Sequence, residues 1–578
     1  MENKYIIGKR EFILKGYQDV EVDFCLVEEK DGISFYRISF RWDKPCSPEI
    51  ITLSYSIPAV DIYTMWDPID HRRHIPFSYK ITDSRLGCGM PLKCLVSVSG
   101  ENAHLLTVSD VKSPICEKMK SNIHTGMIDC AIDFFTALTG PFESYEALIR
   151  IDERRISYDL AVHDAVTWFE GLGYENPYVP KDAKVPVYST WYSYGQAVTQ
   201  ADVIKECEVA SKLGMKVVIL DDGWQTDNTE VVYGYCGDWK PIRSKFPNMA
   251  ELSDKIHSLG MKLMLWYSVP FVGIYSERFK EFEGKYLRFL DNANCYVLDP
   301  RYKEVREFLV NAYVTAVKEW KLDGLKLDFI DRFKTNGEYN ENMDFVSVED
   351  ATEQLLEDIS TALKNIDPEI LIEFRQPYYG PVVSKYGNMM RVWDCPLDGC
   401  MNKNQSINLR LILDKCAVHS DMIYWSREDT PESVALQLWG TVFSVPQISS
   451  RFSDIADAQT AVLKNYLDFW VEHKETLTEG RISARLCENG YGYAEAEGDN
   501  EIIAILSSSP IGELSRKKNT FLVNLTDSDS LVIKNKTGAE IRLRVFDHAG
   551  KELSTFNTRD ELFEVKTAVG YLTEVCFA

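Results

Sequence analysis

The chain has 578 residues, 45% of them hydrophobic and 26% charged, a balance that excludes a disordered chain. Lys and Arg number 64 against 88 Asp and Glu, for a net charge of −24; nucleic-acid backbones and anionic bilayers need a basic footprint, so both are excluded as main partners. No apolar run reaches the roughly 18 residues of a membrane span, residues 1–10 lack an export signal's apolar core, and the 14 Cys show neither C-x-x-C nor zinc spacing, so a cytoplasmic protein with reduced thiols and no metal is expected.

Residues 1 to about 160 hold mostly short alternating runs, such as 21–27, 34–40 and 145–151, with strand period and β-rich composition. One stretch, 121–138, reads as helical. Together these predict an antiparallel sheet domain over 1–165. Residues 164–172 read as a short helix, followed by a segment with two Pro, and 166–184 is taken as the connection. The strand at 187–191 opens a new pattern of short apolar strands alternating with amphipathic helices. Further strands are expected at 216–222, 262–267, 324–329, 370–375, 390–394, 422–426 and 446–450. Helices are expected at 200–213, 249–259, 302–320, 348–365, 407–417, 431–443 and 456–472. Eight strand–helix repeats over 185–480 predict a (β/α)8 TIM barrel. No G-x-G-x-x-G or Walker A motif supports the competing doubly wound sheet. Strands return at 502–506, 520–525, 541–546 and 573–577, predicting a smaller antiparallel β domain over 481–578.

In such barrels chemistry sits at the C-terminal ends of the strands. Those ends present Trp191 and Tyr192, then Asp221, Asp222 and Trp224, then Trp266 and Tyr267, then Lys326 and Asp328. The later ones present Glu373, Arg375 and Gln376, then Arg391, Trp393, Asp394 and Asp398, then Trp425. Six of the 12 Trp (191, 224, 239, 266, 393, 425) fall on or just beyond these ends. Carboxylates among aromatic rings describe a carbohydrate site, because rings pack on a sugar's C–H face and acids bind its hydroxyls. Glycosidic cleavage needs one ionised and one protonated carboxyl. Asp328 fits the first, with Lys326 two residues back on the same strand face to hold it ionised. Asp394 fits the second, since its apolar neighbours are expected to raise its pKa. Taken singly, each feature has a plain alternative. Asp221-Asp222-Gly223-Trp224 can be a turn, Lys-x-Asp a structural pair, Trp266 and Trp425 core residues, and Asp70-His71-Arg72-Arg73-His74 a solvated turn.

The motifs Val218-Ile219-Leu220-Asp221-Asp222-Gly223-Trp224, Leu263-Met264-Leu265-Trp266, Leu298-Asp299-Pro300 with Val305-Arg306, and Asp323-Gly324-Leu325-Lys326-Leu327-Asp328-Phe329 resemble glycoside hydrolase family 36 in order and spacing. These are the α-galactosidases of the clan shared with families 27 and 31. The resemblance implies an N-terminal β-supersandwich, a TIM barrel and a C-terminal antiparallel β-sandwich. It implies a retaining, exo-acting α-galactosidase with Asp328 as nucleophile, Asp394 as acid/base and no cofactor. Asp221 and Asp222 would bind O4 and O6 of a terminal α-galactose. Lys326 and Arg391 would contact sugar hydroxyls and the nucleophile, and Trp224 and Trp266 would line the pocket with Trp191 and Trp393. The expected partner is a small carbohydrate. Relatives are often oligomers, with the N-terminal domain of one subunit near the pocket of another, so in a homo-oligomer of this chain residues such as Trp66 would contribute to a neighbour's pocket.

Two departures stand out. Many members carry a Cys- and Gly-rich segment after the fifth strand, where this chain has Glu373-Phe374-Arg375-Gln376-Pro377-Tyr378-Tyr379. Arg375 and Gln376 would then serve O2, or favour an α-glucoside, an α-N-acetylgalactosaminide or an acidic sugar. The motif Arg391-Val392-Trp393-Asp394-Cys395-Pro396-Leu397-Asp398 is not a close copy of the usual one, which makes Asp398 a rival acid/base. A catalytically dead, glycan-binding barrel is the reading from a different functional class.

Overall fold

The computed structural model describes residues 2–69, 71–72, 75, 77–230, 232–334, 338–413 and 415–577. The N-terminal part is two facing sheets, of six and seven strands. Phe12, Tyr36, Phe40, Ile132 and Ile149 meet between them in one apolar core. The stretch read as helical is instead a hairpin, Ile115–Asn122 with Met127–Phe134. Ile128, Cys130, Ile132 and Phe134 are all buried, so the period is two. Gly126, at φ +67°, closes the turn. The turn expected at 70–74 lies outside the described residues, apart from the backbone of His71–Arg72, a short edge strand.

The connecting helix, Tyr158–Gly171, starts earlier than expected. It buries Tyr158, Ala161, Val162, Ala165 and Phe169, one stripe at helical spacing. The helix packs on an N-terminal strand, a barrel helix and the first C-terminal strand, so it joins all three parts.

We number the barrel strands β1 (Val187–Ser189), β2 (Val217–Leu220), β3 (Lys262–Ser268), β4 (Gly324–Asp328), β5 (Leu371–Arg375), β6 (Met389–Arg391), β7 (Ala417–His419) and β8 (Gln447–Ile448). All neighbours are parallel, and β8 returns to pair with β1. A bridge from His419 to Val445 completes the circle between β7 and β8. The seventh strand lies earlier than expected. Residues 422–426 follow it as a loop, where Ile423 alone bridges to Ile448. The expected helix at 407–417 runs instead from Gly399 to Ile412, which frees Ala417–His419 for the ladder. The helices Gln200–Ala210, Met249–Ser258, Val348–Lys364 and Pro431–Gly440 are each capped by a side chain, from Thr199, Asn248, Ser347 and Thr430.

The C-terminal part has a seven-stranded and a three-stranded sheet. It is not wholly antiparallel. Glu501–Leu506 runs parallel to Asn519–Asn524, and Ile511–Leu514 parallel to Ser530–Asn535. The chain crosses between the sheets after residue 506 and returns in the same direction. Trp66 is fully buried, and its indole N–H donates to Asn408 Oδ1 at 3.1 Å and Tyr491 Oη at 2.9 Å. It therefore ties the N-terminal sheets to the barrel and to the C-terminal part within one chain, and cannot reach a neighbour's pocket. Among the described residues no helix is long and apolar enough to cross a membrane.

Gly324 opens β4 directly beside Leu371 of β5. A Cβ there would lie 2.5 Å from the Leu371 carbonyl oxygen and 2.7 Å from Leu371 Cβ. Overpacking of this kind costs about 1–3 kcal/mol. Gly324→Ala should therefore lower the urea midpoint of barrel unfolding, and an unchanged midpoint would contradict the close β4–β5 approach.

Candidate active site

Lys326 and Asp328 alternate on β4 and so point to the same side, into the barrel. Asp328 is buried and surrounded by donors. The Arg375 Nε donates to its Oδ1 at 2.6 Å, the Phe329 backbone N–H to Oδ1 at 2.7 Å, and the Trp266 indole N–H to Oδ2 at 3.0 Å. Burial alone would push this carboxyl up, but Arg375 and then Lys326 hold it below the usual carboxylate range. Phe329 adopts a left-handed conformation, φ +67°, which aims its N–H back at the carboxylate. Such a conformation costs an aromatic residue on the order of 1–2 kcal/mol.

The contact expected between Lys326 and Asp328 is made by a different residue. The Lys326 Nζ donates to Asp221 Oδ2 at 2.6 Å, and Arg375 is the direct partner of Asp328. Lys326 reaches Asp328 only through the field of its charge. Arg375 lies over the rings of Phe329, Tyr378 and Trp393 at 5.0, 5.7 and 5.8 Å, an aromatic cradle that fixes it on the carboxylate.

Asp221 and Asp222 follow β2. The Asp221 Oδ1 accepts from the Asp222 N–H at 2.8 Å. Asp222 is buried and accepts from Gln196 Nε2 at 2.8 Å and Gln225 Nε2 at 2.6 Å. Burial raises its pKa to about 7, with the two amides opposing and the Asp221 charge adding to the rise. Gly223, at φ +114°, makes the following turn, and a Cβ there would lie 2.5 Å from the Gln196 Cα.

Asp394 lies just beyond β6 with its side chain 45% exposed. Its setting is not the apolar one expected. Arg391 Nη2 donates to its Oδ1 at 2.8 Å. Desolvation opposes ionisation, but Arg391, Arg375 and Lys326 together hold the carboxyl down at about 2. Asp328 feels the Asp394 charge, as expected of acids sharing one mouth. Asp398, the rival acid, is the N-cap of the helix Gly399–Ile412, its Oδ1 accepting from the Met401 N–H at 2.8 Å.

The aromatic expectation is only partly met. Trp224, Trp266 and Trp425 are fully buried, and Trp239 nearly so. Trp224 sits beneath the mouth against Trp239, Tyr267 and Trp320, and donates to the Trp266 carbonyl at 2.9 Å, so it supports Trp266 and does not line an opening. Trp191 is half-buried and Trp393 is 37% exposed. Gln376 is buried and already engaged. Its Oε1 accepts from the Trp393 N–H, while Nε2 donates to Gln405 Oε1 at 3.0 Å and the Pro68 carbonyl at 3.4 Å. It ties the loop after β5 to the N-terminal sheets.

The sequence reading missed Asp421, wholly buried just after β7, which accepts from Arg391, Tyr192 and Cys395. It also missed Gln196 and Gln225. The available signal was Ser420-Asp421 following the apolar run Cys416-Ala417-Val418, hidden by placing the strand at 422–426.

A β/α barrel whose C-terminal mouth gathers six carboxylates and three cations, between flanking β-sheet parts, has the architecture and site chemistry of a glycoside hydrolase barrel. A family model described as Melibiase matches residues 180–374. The α-galactosidase Mel36A of Lactobacillus acidophilus is 32% identical over 129 residues, which cover 21% of this chain and 17% of that protein. Alpha-galactosidase 2 of Pediococcus pentosaceus is 30% identical over 157 residues, 26% of this chain and 22% of that protein. The matches thus span about a fifth of these relatives' length. A solved family-36 α-galactosidase, AgaA of Geobacillus stearothermophilus in complex with raffinose, superposes with a TM-score of 0.68 at 13% identity, over 100% of this chain and 84% of that one. The chain resembles the α-galactosidases of glycoside hydrolase family 36 and shares their fold. The family-model match ends at Phe374, so Arg375, Asp394 and Asp421 all lie beyond it.

The Asp222 environment has a measurable consequence. Its folded pKa, about 7, is above the ordinary value, so the unfolded chain ionises first. The resulting stability loss is absent at low pH and grows as pH rises from about 4 to 7. Asp222→Asn should therefore gain in melting temperature relative to wild type between pH 5 and pH 8. A pH-independent difference between the two proteins would contradict the raised pKa.

Proposed function

We propose that the chain is a retaining, exo-acting α-galactosidase, with Asp328 as nucleophile and Asp394 as acid/base. The observation that carries this is Asp328 itself, a buried carboxylate at the end of β4 kept ionised by Arg375, with a second carboxylate, Asp394, at the same mouth. An ionised, oriented carboxylate is what attack on an anomeric carbon requires. Asp394 would protonate the glycosidic oxygen as the bond to C1 breaks and Asp328 bonds to C1. It would then take a proton from the water that releases the sugar. Asp221 and Asp222 are acceptors suited to sugar hydroxyls, with Lys326 setting the position of Asp221.

The charge balance supports a neutral sugar. Carboxylates outnumber cations at the mouth, which favours the cationic character that develops at C1. Arg375, the group that made an acidic sugar attractive, is already committed to Asp328. The α-galactoside reading also agrees with the names of the Lactobacillus acidophilus and Pediococcus pentosaceus relatives.

A panel of 4-nitrophenyl α-glycosides scored for the first sugar cleaved tests the assignment, with galactose the expected product. Asp328→Asn should lower turnover by more than about a thousandfold with the fold retained, and retention of a tenth of the rate would remove Asp328 from the nucleophile role. Sugar binding with no product from any member of the panel would point to a binding barrel. Arg375→Ala should cost neutral galactosides at least about tenfold, because an unpaired buried carboxylate gains a proton. Unchanged activity on neutral galactosides with loss on an anionic substrate would favour the acidic-sugar reading instead.

A further inference from the structure

Arg391 ends β6 fully enclosed, 1% exposed, and three carboxylates surround its guanidinium. Nη2 donates to Asp394 at 2.8 Å, Nη1 donates to Asp421 at 2.5 Å, and Nε lies 3.6 Å from Glu373 Oε1. Asp421 does more than accept from Arg391. Its Oδ2 accepts from the Tyr192 hydroxyl at 2.8 Å and from the Cys395 N–H at 2.7 Å. Cys395 is the residue after Asp394. The Asp421 backbone is fixed in turn by one side chain: its N–H donates to Asn402 Oδ1 at 3.0 Å, and its carbonyl accepts from Asn402 Nδ2 at 3.1 Å. One buried carboxylate thus holds both the guanidinium that grips Asp394 and the peptide that follows Asp394.

This arrangement bears on a difficulty in the acid/base step. A general acid must carry a proton, yet the ion pair with Arg391 favours an ionised Asp394. The proton can be carried only when Asp394 leaves the guanidinium, and that leaves a buried cation needing another partner. Asp421 is that partner. We propose that Asp421 is a positioning residue for the acid/base step, keeping the Arg391 charge on itself so that Asp394 can turn from the guanidinium and deliver a proton to the leaving oxygen. The proposal rests on the reading of Asp394 as acid/base. Arg391 faces Asp421, Asp394, Glu373 and Tyr192; Asp394 is also faced by Asp328, Arg375 and Lys326. Removing the Asp421 charge leaves Arg391 with the neutral Val392 carbonyl at 3.2 Å and with Asp394 as the only carboxylate at hydrogen-bond distance among the described residues, and Asp394 stays ionised to lower pH.

The test compares wild type, Asp421→Asn and Tyr192→Phe on two substrates across pH. 4-Nitrophenyl α-galactoside leaves with little protonation, whereas methyl α-galactoside needs it. Asp421→Asn should lose at least about tenfold more kcat/KM on the methyl glycoside than on the nitrophenyl glycoside. The alkaline limb of its methyl-glycoside profile should move down by about one pH unit. Tyr192→Phe removes only one donor from Asp421 and should shift the same limb in the same direction by less. It serves as the test if Asp421→Asn does not fold. Equal losses on both substrates with an unmoved alkaline limb would overturn the role of Asp421 while leaving the glycosidase reading intact. A wild type that cleaves no α-glycoside would overturn both.

Discussion

The barrel mouth depends on one constraint, that buried charges must be paired. Lys326, Arg375 and Arg391 lie among Asp221, Asp222, Asp328, Glu373, Asp394 and Asp421, and all but Asp394 are nearly inaccessible to water. An isolated ion in such a place costs several kcal/mol even after relaxation. Each cation therefore fixes the geometry of the acids it touches. Arg375 fixes Asp328, Lys326 fixes Asp221, and Arg391 spans Asp394 and Asp421. Burial still shows its cost. Asp222, with no cation in contact, keeps its proton to about 7, and burial pushes Glu373 and Asp421 up as well although Arg391 faces both.

The rest of the fold holds these pairs in register. On β4 and β5, Lys326 lies beside Glu373; on β5 and β6, Arg375 lies beside Arg391. Two like charges side by side are tolerable because each guanidinium turns to its own carboxylate. The loop after β5 is pinned by Gln376 to Gln405 and to the carbonyl of Pro68. Gln405 in turn reaches the Ile69 carbonyl at 2.5 Å. The N-terminal sheets thus brace the segment that carries Arg375. Arg85, from those sheets, donates to the carbonyls of Asp331 and Phe333, just beyond Asp328.

Strand period and apolar runs made most of the barrel legible, because a buried parallel strand must be apolar whatever its neighbours are. They placed seven of the eight strands. The eighth case, β7, failed because two apolar runs, 416–418 and 422–425, compete within ten residues, and only pairing with Met389–Arg391 selects the first. The hairpin at 115–134 failed similarly, since Ile128, Cys130, Ile132 and Phe134 are separated by residues that a helix also accepts. The Trp cluster misled for a different reason. Sequence position shows that a ring lies near a strand end but not whether it is open to solvent or enclosed, and Trp224, Trp266 and Trp425 are fully enclosed.

By itself the sequence determined the barrel, the two carboxylates Asp328 and Asp394 at its mouth, and the pair Asp221-Asp222, because strand alternation and strand ends follow from local spacing. The tertiary structure alone decided which cation meets which acid. Lys326 lies two residues from Asp328 yet bonds Asp221, 105 positions away, while Arg375 crosses from the next strand to Asp328. Partner choice among buried charges depends on distances across the barrel and on which donors the neighbouring rings and amides hold in place. The same reason hid Asp421, whose importance comes from Arg391, Tyr192 and Cys395, none of them near it in the chain.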